Sequence, residues 1–221
     1  MDRRGLVIFD LDGTLFRAEA VTVPAVIMSF ETRDLTPPPE SKIRYFIGRP
    51  TPEFHAWLDE VSPPGIGPEI ARDVDRTEIE LVPEAGDLFP GVLDVLRTLR
   101  QSVARMAVCT NGPRPYVEAV IGAYDLAPYF DAIRFLQHDG DDKIGMVREL
   151  LERFEERPGI VVGDRPDDIE AAHRNGLAAI AVSYGLGEPA ELAAADAVAD
   201  SPTDLPGLVS KLIEARGGTD D

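Results

Sequence analysis

Cysteine is almost absent from the sequence, and this limits what can hold the fold together. The chain of 221 residues has one cysteine, Cys109, so an internal disulfide framework is excluded. Nothing therefore points to an oxidising compartment. Because Cys109 lies within an apolar run and has no histidine nearby in the sequence, we interpret it as a buried structural thiol rather than a nucleophile.

Long apolar runs are also missing. No stretch of the sequence approaches the roughly 18 apolar residues that a membrane helix requires. The basic start at Arg3 and Arg4 precedes a short apolar stretch, but Asp10 and Asp12 interrupt that stretch too early for a signal peptide. We therefore predict a cytoplasmic protein.

Basic residues are scarce. The chain has 22 lysines and arginines against 40 aspartates and glutamates, which gives a formal net charge of −18. A protein that binds nucleic acid mainly through phosphate contacts needs a basic face. The net charge therefore argues against nucleic-acid binding and against adhesion to an anionic membrane.

The remaining composition is that of an ordinary globular protein, with 44% hydrophobic and 28% charged residues. Short apolar runs alternate with amphipathic stretches, which is the pattern of parallel strands joined by helices. The predicted strands are 6–10, 105–110, 132–136, 160–164, 178–183 and a weaker 197–199; the predicted helices are 91–100, 115–124, 143–154, 166–175 and 203–215. This alternation predicts an α/β fold with a doubly wound, Rossmann-like parallel sheet.

Residues 16–88 do not follow this alternation. They have helical patterns at 18–33, 52–61 and 68–81, separated by proline-rich breaks, and no convincing strand pattern. We therefore predict an all-α insertion over 16–88, with the sheet domain built from 1–15 and 89–221.

Polar residues follow the predicted strands where they end. The first strand leads into Asp10 and Asp12, the second into Thr110, and the fourth into Asp164. Ligands of open α/β sheets bind beyond the carboxyl ends of the strands. Residues i and i+2 of an extended chain face the same side, so Asp10 and Asp12 project together and need a cation or a proton between them.

Lysine is especially rare, because the whole chain has three. Lys42 lies in the helical insertion and Lys211 in the last predicted helix, whereas Lys143 begins the helix between the third and fourth main strands. Lys143 therefore offers a positive charge where an anionic substrate would bind.

With these residues the chain resembles the haloacid-dehalogenase-like hydrolase superfamily, in the branch that has a helical cap domain after the first strand. The four motifs of that family match, in order, Asp10-x-Asp12-Gly-Thr14, Thr110-Asn111, Lys143, and Gly163-Asp164 followed by Asp168. The match departs from the family's pattern at Ile144, where many relatives have proline. The motifs span nearly the whole sheet domain, and the resemblance identifies the insertion as the cap.

The resemblance implies a phosphatase that hydrolyses a small phosphorylated metabolite through an aspartyl phosphate. Asp10 matches the nucleophile of the family and Asp12 its general acid and base. Thr110 and Lys143, with backbone N–H groups near Asn111, match the residues that hold the phosphoryl group.

The resemblance also implies Mg²⁺ as the cofactor, a hard cation that prefers oxygen ligands. The implied ligands are Asp10, the backbone carbonyl of Asp12, Asp164 and Asp168, the last directly or through water. We interpret the neighbouring Asp167 as a solvated helix start.

Other functions remain open at this point. Sugar phosphomutases of the β-phosphoglucomutase type have a histidine early in the cap, whereas the first histidine here is His55. Dehalogenases lack the second aspartate, which this chain has as Asp12. A non-enzymatic alternative is a phospho-aspartate signalling module or a binding protein.

The substrate and the oligomeric state are open as well. Arg49, in the turn Gly48-Arg49-Pro50 of the cap, is either a contact for an anionic substrate or an exposed loop arginine.

Overall fold

A single parallel sheet forms the centre of the protein. In the computed structural model, which describes residues 3–138 and 140–217, the sheet has six strands in the order β3-β2-β1-β4-β5-β6. The strands are β1 (Arg4–Phe9), β2 (Val103–Pro113), β3 (Ala132–Leu136), β4 (Gly159–Gly163), β5 (Ala178–Val182) and β6 (Ala197–Ala199). Each neighbouring pair is parallel, as the sequence predicts.

The strand order reverses at β1, which pairs with β2 on one side and β4 on the other. All residues of β4 and all but the first of β1 are buried, which explains their nearly continuous apolar sequences. Such a switch point opens a crevice beyond the carboxyl ends of the strands. Asp10 and Asp164 follow directly after these two neighbouring strands.

Helices cover both faces of the sheet. The sheet-domain helices are α5 (Val92–Ser102), α6 (Arg114–Ala123), α7 (Lys143–Arg153), α8 (Pro166–Arg174) and α9 (Leu205–Gly217). Leu6 and Ile8 of β1 pack with α7 and α8, whereas Val7 and Phe9 pack with α5, α6 and α9 on the opposite face. The sheet is therefore doubly wound, which confirms the predicted fold class.

Four further helices lie between β1 and α5 and form the predicted helical cap. They are α1 (Glu19–Glu31), α2 (Glu40–Phe46), α3 (Thr51–Val61) and α4 (Gly67–Ala85), with α4 packed against α1 and α3. The sequence does not predict α2, which has seven residues and buries only Ile43, so it leaves no periodic pattern. Helix α4 continues past the predicted end at 81, through Pro83 in its last turn, to Ala85.

The two segments that connect the helical cap to the sheet domain pair with each other in an antiparallel arrangement. Phe16 forms a β-bridge with Leu88, the Arg17 N–H donates to the Asp87 carbonyl (2.9 Å), and the Phe89 N–H donates to the Leu15 carbonyl (3.0 Å). This pairing supports domain boundaries near 16 and 88, which we retain as a proposal.

None of the helices in the described ranges combines the length and the apolar character needed to cross a membrane.

Candidate active site

The loop after β1 turns tightly and places two carboxylates inside the protein. Asp10 and Asp12 are 3% and 6% exposed, although they are charged residues in a loop. Gly13 has a φ of +81°, and a Cβ atom there would clash with the Asp164 carboxylate. Glycine at this position is therefore required both by the backbone conformation and by the close approach of Asp164.

Lys143 holds two of the aspartates. Its Nζ atom lies 2.7 Å from Asp10 Oδ1 and 2.6 Å from Asp168 Oδ1, and all three side chains are buried. Lys143 is the first residue of α7, where the Asp142 side chain caps the helix by accepting from the Gly145 N–H (2.6 Å). This capping hydrogen bond fixes the start of the helix and with it the position of Lys143.

Burial perturbs the titration of this cluster. It raises the pKa of Asp10, Asp164 and Asp168 above the ordinary value for aspartate, and Lys143 opposes this effect. Burial alone would lower the pKa of Lys143, but Asp10 and Asp168 raise it well above the ordinary value. Three buried carboxylates share the charge of one lysine, so a further cation bound among them would be stabilised.

The donor set fits a Mg²⁺ ion. Asp10, Asp164 and Asp168 each offer a carboxylate oxygen, and the three oxygens lie within 4.8 Å of one another. Asp10 Oδ2 is buried and has no hydrogen-bond partner among the described residues. Mg²⁺ is typically held by a few carboxylates together with waters and substrate phosphate oxygens. The orphaned oxygen and the all-oxygen chemistry both match that requirement.

Asp12 has a partner that the sequence does not predict. The Tyr116 hydroxyl donates to Asp12 Oδ1 (2.7 Å), and both side chains are buried. Burial raises the pKa of Asp12 to about 6, while the Tyr116 hydrogen bond and the Lys143 charge oppose the rise. Tyr116 shares a buried helix face with Val117 and Val120, so its sequence pattern resembles ordinary core packing.

The end of β2 contributes Thr110 and Asn111, both buried. The Thr110 hydroxyl accepts from the Gly112 N–H (3.1 Å). The Asn111 side-chain amide donates to the Gly48 carbonyl of the cap (3.0 Å) and to Asp167 Oδ2 (2.8 Å). Asn111 therefore connects the sheet edge to the loop that contains Gly48.

The surroundings of Asp167 differ from those of the solvated helix start that the sequence predicts. It does lie in the first turn of α8 and is 40% exposed. However, its carboxylate accepts the Asn111 hydrogen bond and lies 3.9 Å from Lys143 Nζ. Its position beside two site residues depends on tertiary packing that the local sequence does not reveal.

Arg165 reaches from the sheet domain into the cap. This residue follows Asp164 and is 4% exposed. Its guanidinium group donates to the carbonyls of Arg44 (3.1 Å) and Ile47 (2.7 Å) at the end of α2. The sequence does not single out Arg165, because an arginine in a loop normally indicates a surface residue.

Two cavities adjoin these residues. The outer cavity, about 360 Å³, is lined by Asn111, Lys143, Asp167 and Arg49, among others. The inner cavity, about 50 Å³, lies between Asp12 with Tyr116 on one side and the cap on the other. Arg49 lines both cavities, so the predicted substrate contact lies beside the site, and its role stays a prediction.

The cap also brings a carboxylate to the inner cavity. Glu78 of α4 lines this cavity together with Asp12 and Thr22. Burial raises the pKa of Glu78 to about 8, and the nearby negative charges of Asp75 and Asp12 add to the rise. The sequence does not single out Glu78, because a glutamate on an amphipathic helix normally faces solvent.

The cysteine and two of the histidines lie outside the carboxylate cluster described above. Cys109 is buried, as predicted, and burial raises the pKa of its thiol to about 12, so the thiol is poorly suited to act as a nucleophile. His55 Nε2 lies 2.9 Å from Asp75 Oδ1, and His173 Nε2 lies 3.1 Å from Asp196 Oδ2.

Comparison with known proteins places these residues in a family context. A family model described as haloacid dehalogenase-like hydrolase matches residues 5–176, which contain the whole site described above. The chain is 28% identical over 215 residues to the phosphoglycolate phosphatase of Caulobacter vibrioides, covering 90% of this chain and 88% of that protein. It is 29% identical over 235 residues to the phosphoglycolate phosphatase of Shigella boydii, covering 92% and 91%.

The fold is also found among solved structures. A haloacid dehalogenase-like family hydrolase from Streptococcus pneumoniae matches with a TM-score of 0.82 and 21% sequence identity, covering 94% of this chain and 98% of that one. This likeness concerns the arrangement of sheet and helices.

Proposed function

The chain belongs to the haloacid dehalogenase-like hydrolase family and is a phosphatase, and we propose that it hydrolyses small-molecule phosphomonoesters with Mg²⁺ through a phosphorylated Asp10. The names of the relatives make phosphoglycolate the first substrate to try. The proposal also includes a cytoplasmic location, with which the single buried thiol is compatible.

One observation carries the proposal: the Asp10 carboxylate is both oriented and available. Lys143 Nζ holds Oδ1 at 2.7 Å, whereas the buried Oδ2 has no partner. A carboxylate that is positioned in this way can attack phosphorus and form an acyl phosphate, which divides one difficult displacement into two steps. The Lys143 charge stabilises the ionised form of Asp10 that the attack requires.

Asp12 is suited to transfer the proton in both steps. In the first step, Asp10 attacks phosphorus, the ester P–O bond breaks, and Asp12 protonates the leaving alkoxide. In the second step, Asp12 takes a proton from water, which attacks phosphorus and releases Asp10. A pKa of about 6 suits a group that must give and then take a proton near neutral pH.

The charge of the transferring group needs compensation, because phosphoryl transfer depends chiefly on positioning and electrostatic stabilisation. We assign this role to Lys143, Thr110 and the backbone near Asn111. Mg²⁺ bound by Asp10, the Asp12 carbonyl, Asp164 and Asp168 would add positive charge against the phosphoryl oxygens. Three of these ligands contribute the clustered carboxylate oxygens.

Phosphate release from an aryl phosphate tests the proposal. We expect turnover with Mg²⁺, none with EDTA, and none in Asp10→Asn. The control is Asp94→Asn, which changes an aspartate that is 82% exposed on α5 and should leave turnover unchanged. Turnover in the folded Asp10→Asn variant would remove the nucleophile assignment.

Product analysis separates a phosphatase from a sugar phosphomutase. With a hexose 1-phosphate as substrate, the proposal predicts free phosphate, whereas accumulation of the hexose 6-phosphate would favour the mutase.

A further inference from the structure

We propose that Arg165 is a positioning residue that holds the cap segment 44–51 against the sheet domain. Residues 46–49 and 51 of this segment line the inner cavity, and residues 49 and 50 line the outer cavity. The segment therefore forms part of the wall that a bound substrate would face. The proposed chemistry gives Arg165 no role, and the consequence for substrate binding rests on the proposed phosphatase activity.

The end of α2 is a weak part of the cap by itself. The helix has seven residues and buries only Ile43, and a helix this short is marginal without outside contacts. The last carbonyl groups of a helix also lack partners within it. Arg165 supplies such a partner, because its Nη2 atom lies 3.1, 3.3 and 2.7 Å from the carbonyl oxygens of Arg44, Tyr45 and Ile47. Its positive charge at this end of α2 also interacts favourably with the helix dipole.

The sheet domain holds Arg165 itself in a fixed position. Its side chain is 5% exposed, and its backbone N–H donates to Asp168 Oδ2 (3.0 Å). Its Nη1 atom donates to the Leu186 carbonyl (3.4 Å), and the Leu186 N–H donates to Asp164 Oδ2 (2.7 Å). The guanidinium group is therefore fixed to the loop that contains two of the clustered carboxylates, and it can serve as an anchor for the cap.

The position of Arg49 depends on the same anchor. Its guanidinium group stacks over the Tyr45 ring at 4.1 Å, and its Nε atom donates to the Tyr45 carbonyl (3.0 Å), which is an oxygen that Arg165 also contacts. Arg49 lines both cavities. A shift of the end of α2 would therefore displace the arginine that the cap contributes to them.

A second set of contacts holds the other end of the segment. The Asn111 side-chain amide donates to the Gly48 carbonyl (3.0 Å), and the Thr51 hydroxyl donates to the Asn111 carbonyl (3.2 Å). These bonds do not involve Arg165. Loss of the Arg165 donors should therefore release the end of α2 and leave residues 48–51 connected, which is a local change rather than unfolding of the cap.

Hydrogen exchange and fluorescence test the anchor without turnover. Arg165→Lys keeps the positive charge but replaces the planar fork of donors with a single ammonium group. We expect the α2 amides to exchange about tenfold faster in this variant, because hydrogen bonds from a charged donor are lost. Trp57 is the one tryptophan of the chain and stacks on Phe46 at the end of α2, with ring centroids 4.6 Å apart, so acrylamide should quench its fluorescence more strongly in the variant. The control is Arg174→Lys, at a 69% exposed side chain on α8, which should change neither quantity.

Steady-state kinetics on the aryl phosphate with Mg²⁺ separate positioning from chemistry. Arg165 contacts the cap and no reacting atom, so its loss should affect substrate binding. We expect KM of Arg165→Lys to rise about tenfold, with kcat within about twofold of the wild-type value.

Unchanged exchange and unchanged quenching in a folded Arg165→Lys variant would overturn the proposal. A loss confined to kcat would also overturn it, because Arg165 would then act on the neighbouring carboxylates rather than on the cap. If the lysine variant does not fold, Arg165→Gln provides the same test, since its shorter amide cannot reach the α2 carbonyls. Absence of turnover in the wild type would instead contradict the proposed function, and the exchange result would still decide the role of Arg165.

Discussion

Tyr116→Phe tests the proton-transfer role of Asp12 most directly. The variant removes the hydroxyl that donates to Asp12 Oδ1 at 2.7 Å and leaves the ring, which packs at the edge of Phe16, in place. The hydrogen bond stabilises the ionised carboxylate and so lowers the pKa of Asp12 from the value that burial alone would give. Its loss should therefore raise that pKa.

The size of the shift follows from the strength of the hydrogen bond. Hydrogen bonds to charged groups contribute about 1.5–3 kcal/mol, and about 1.4 kcal/mol corresponds to one pKa unit. Loss of the Tyr116 hydroxyl should therefore raise the pKa of Asp12 by about 1–2 units.

The pH dependence of kcat/KM measures this shift, because it reports the ionisation of the free enzyme. Asp12 must be protonated to protonate the leaving group, so the rate falls as the pH rises through its pKa. In Tyr116→Phe this falling limb should move to higher pH by about 1–2 units. Tyr124→Phe is the control, because its hydroxyl donates to the Val82 carbonyl (3.2 Å). An unmoved limb, or an equal shift in the control, would refute the reasoning.

Three further predictions concern stability, the cap and the thiol. In EDTA the free energy of unfolding should fall as the pH rises from about 4 to about 7 in thermal melts. The reason is that burial raises the pKa of Asp12 from 3.8 to about 6, so the folded state binds a proton that the unfolded state has already lost. The stability that this proton contributes is lost as the pH rises through the pKa of the folded state. Added Mg²⁺ should restore stability. Arg165→Lys should lower kcat/KM about tenfold, because the donors that reach the Ile47 carbonyl are lost, whereas Arg174→Lys, at a 69% exposed side chain, should have no effect. Cys109 should react with a thiol reagent only after unfolding, because the pKa of its buried thiol is about 12; reaction in the native protein would contradict this.

The sequence predicts the centre of the sheet well because β1, β4 and β5 are buried along nearly their whole length and are therefore apolar. The predicted ranges 132–136 and 197–199 coincide with β3 and β6, since apolar runs bounded by polar residues mark both ends. The prediction for β2 ends at 110, but the strand continues to Pro113, which pairs with Leu136 of β3. Two of the added residues, Thr110 and Asn111, have polar side chains, and Gly112 has none. Their extended conformation therefore depends on the neighbouring strand.

The candidate site is predictable only where its residues follow strand ends. Asp10, Asp12 and Asp164 come directly after strands that neighbour each other in the sheet, so their convergence follows from the fold class. Tyr116 and Asp12 are 104 positions apart in the chain, and Arg165 is 118 positions from Ile47. Such contacts depend on how the cap and α6 pack against the sheet, which local periodicity does not determine.

The phosphorylated state of Asp10 is the centre of the proposed mechanism, and chemical trapping tests it directly. The enzyme would be quenched during turnover of a phosphomonoester with Mg²⁺, treated with borohydride, digested, and mapped by mass spectrometry. Borohydride reduces an acyl phosphate to the alcohol, so we predict homoserine at Asp10 in the enzyme quenched with substrate and aspartate in the enzyme quenched without it. Homoserine at another aspartate, or unmodified Asp10 throughout during steady turnover, would contradict the account.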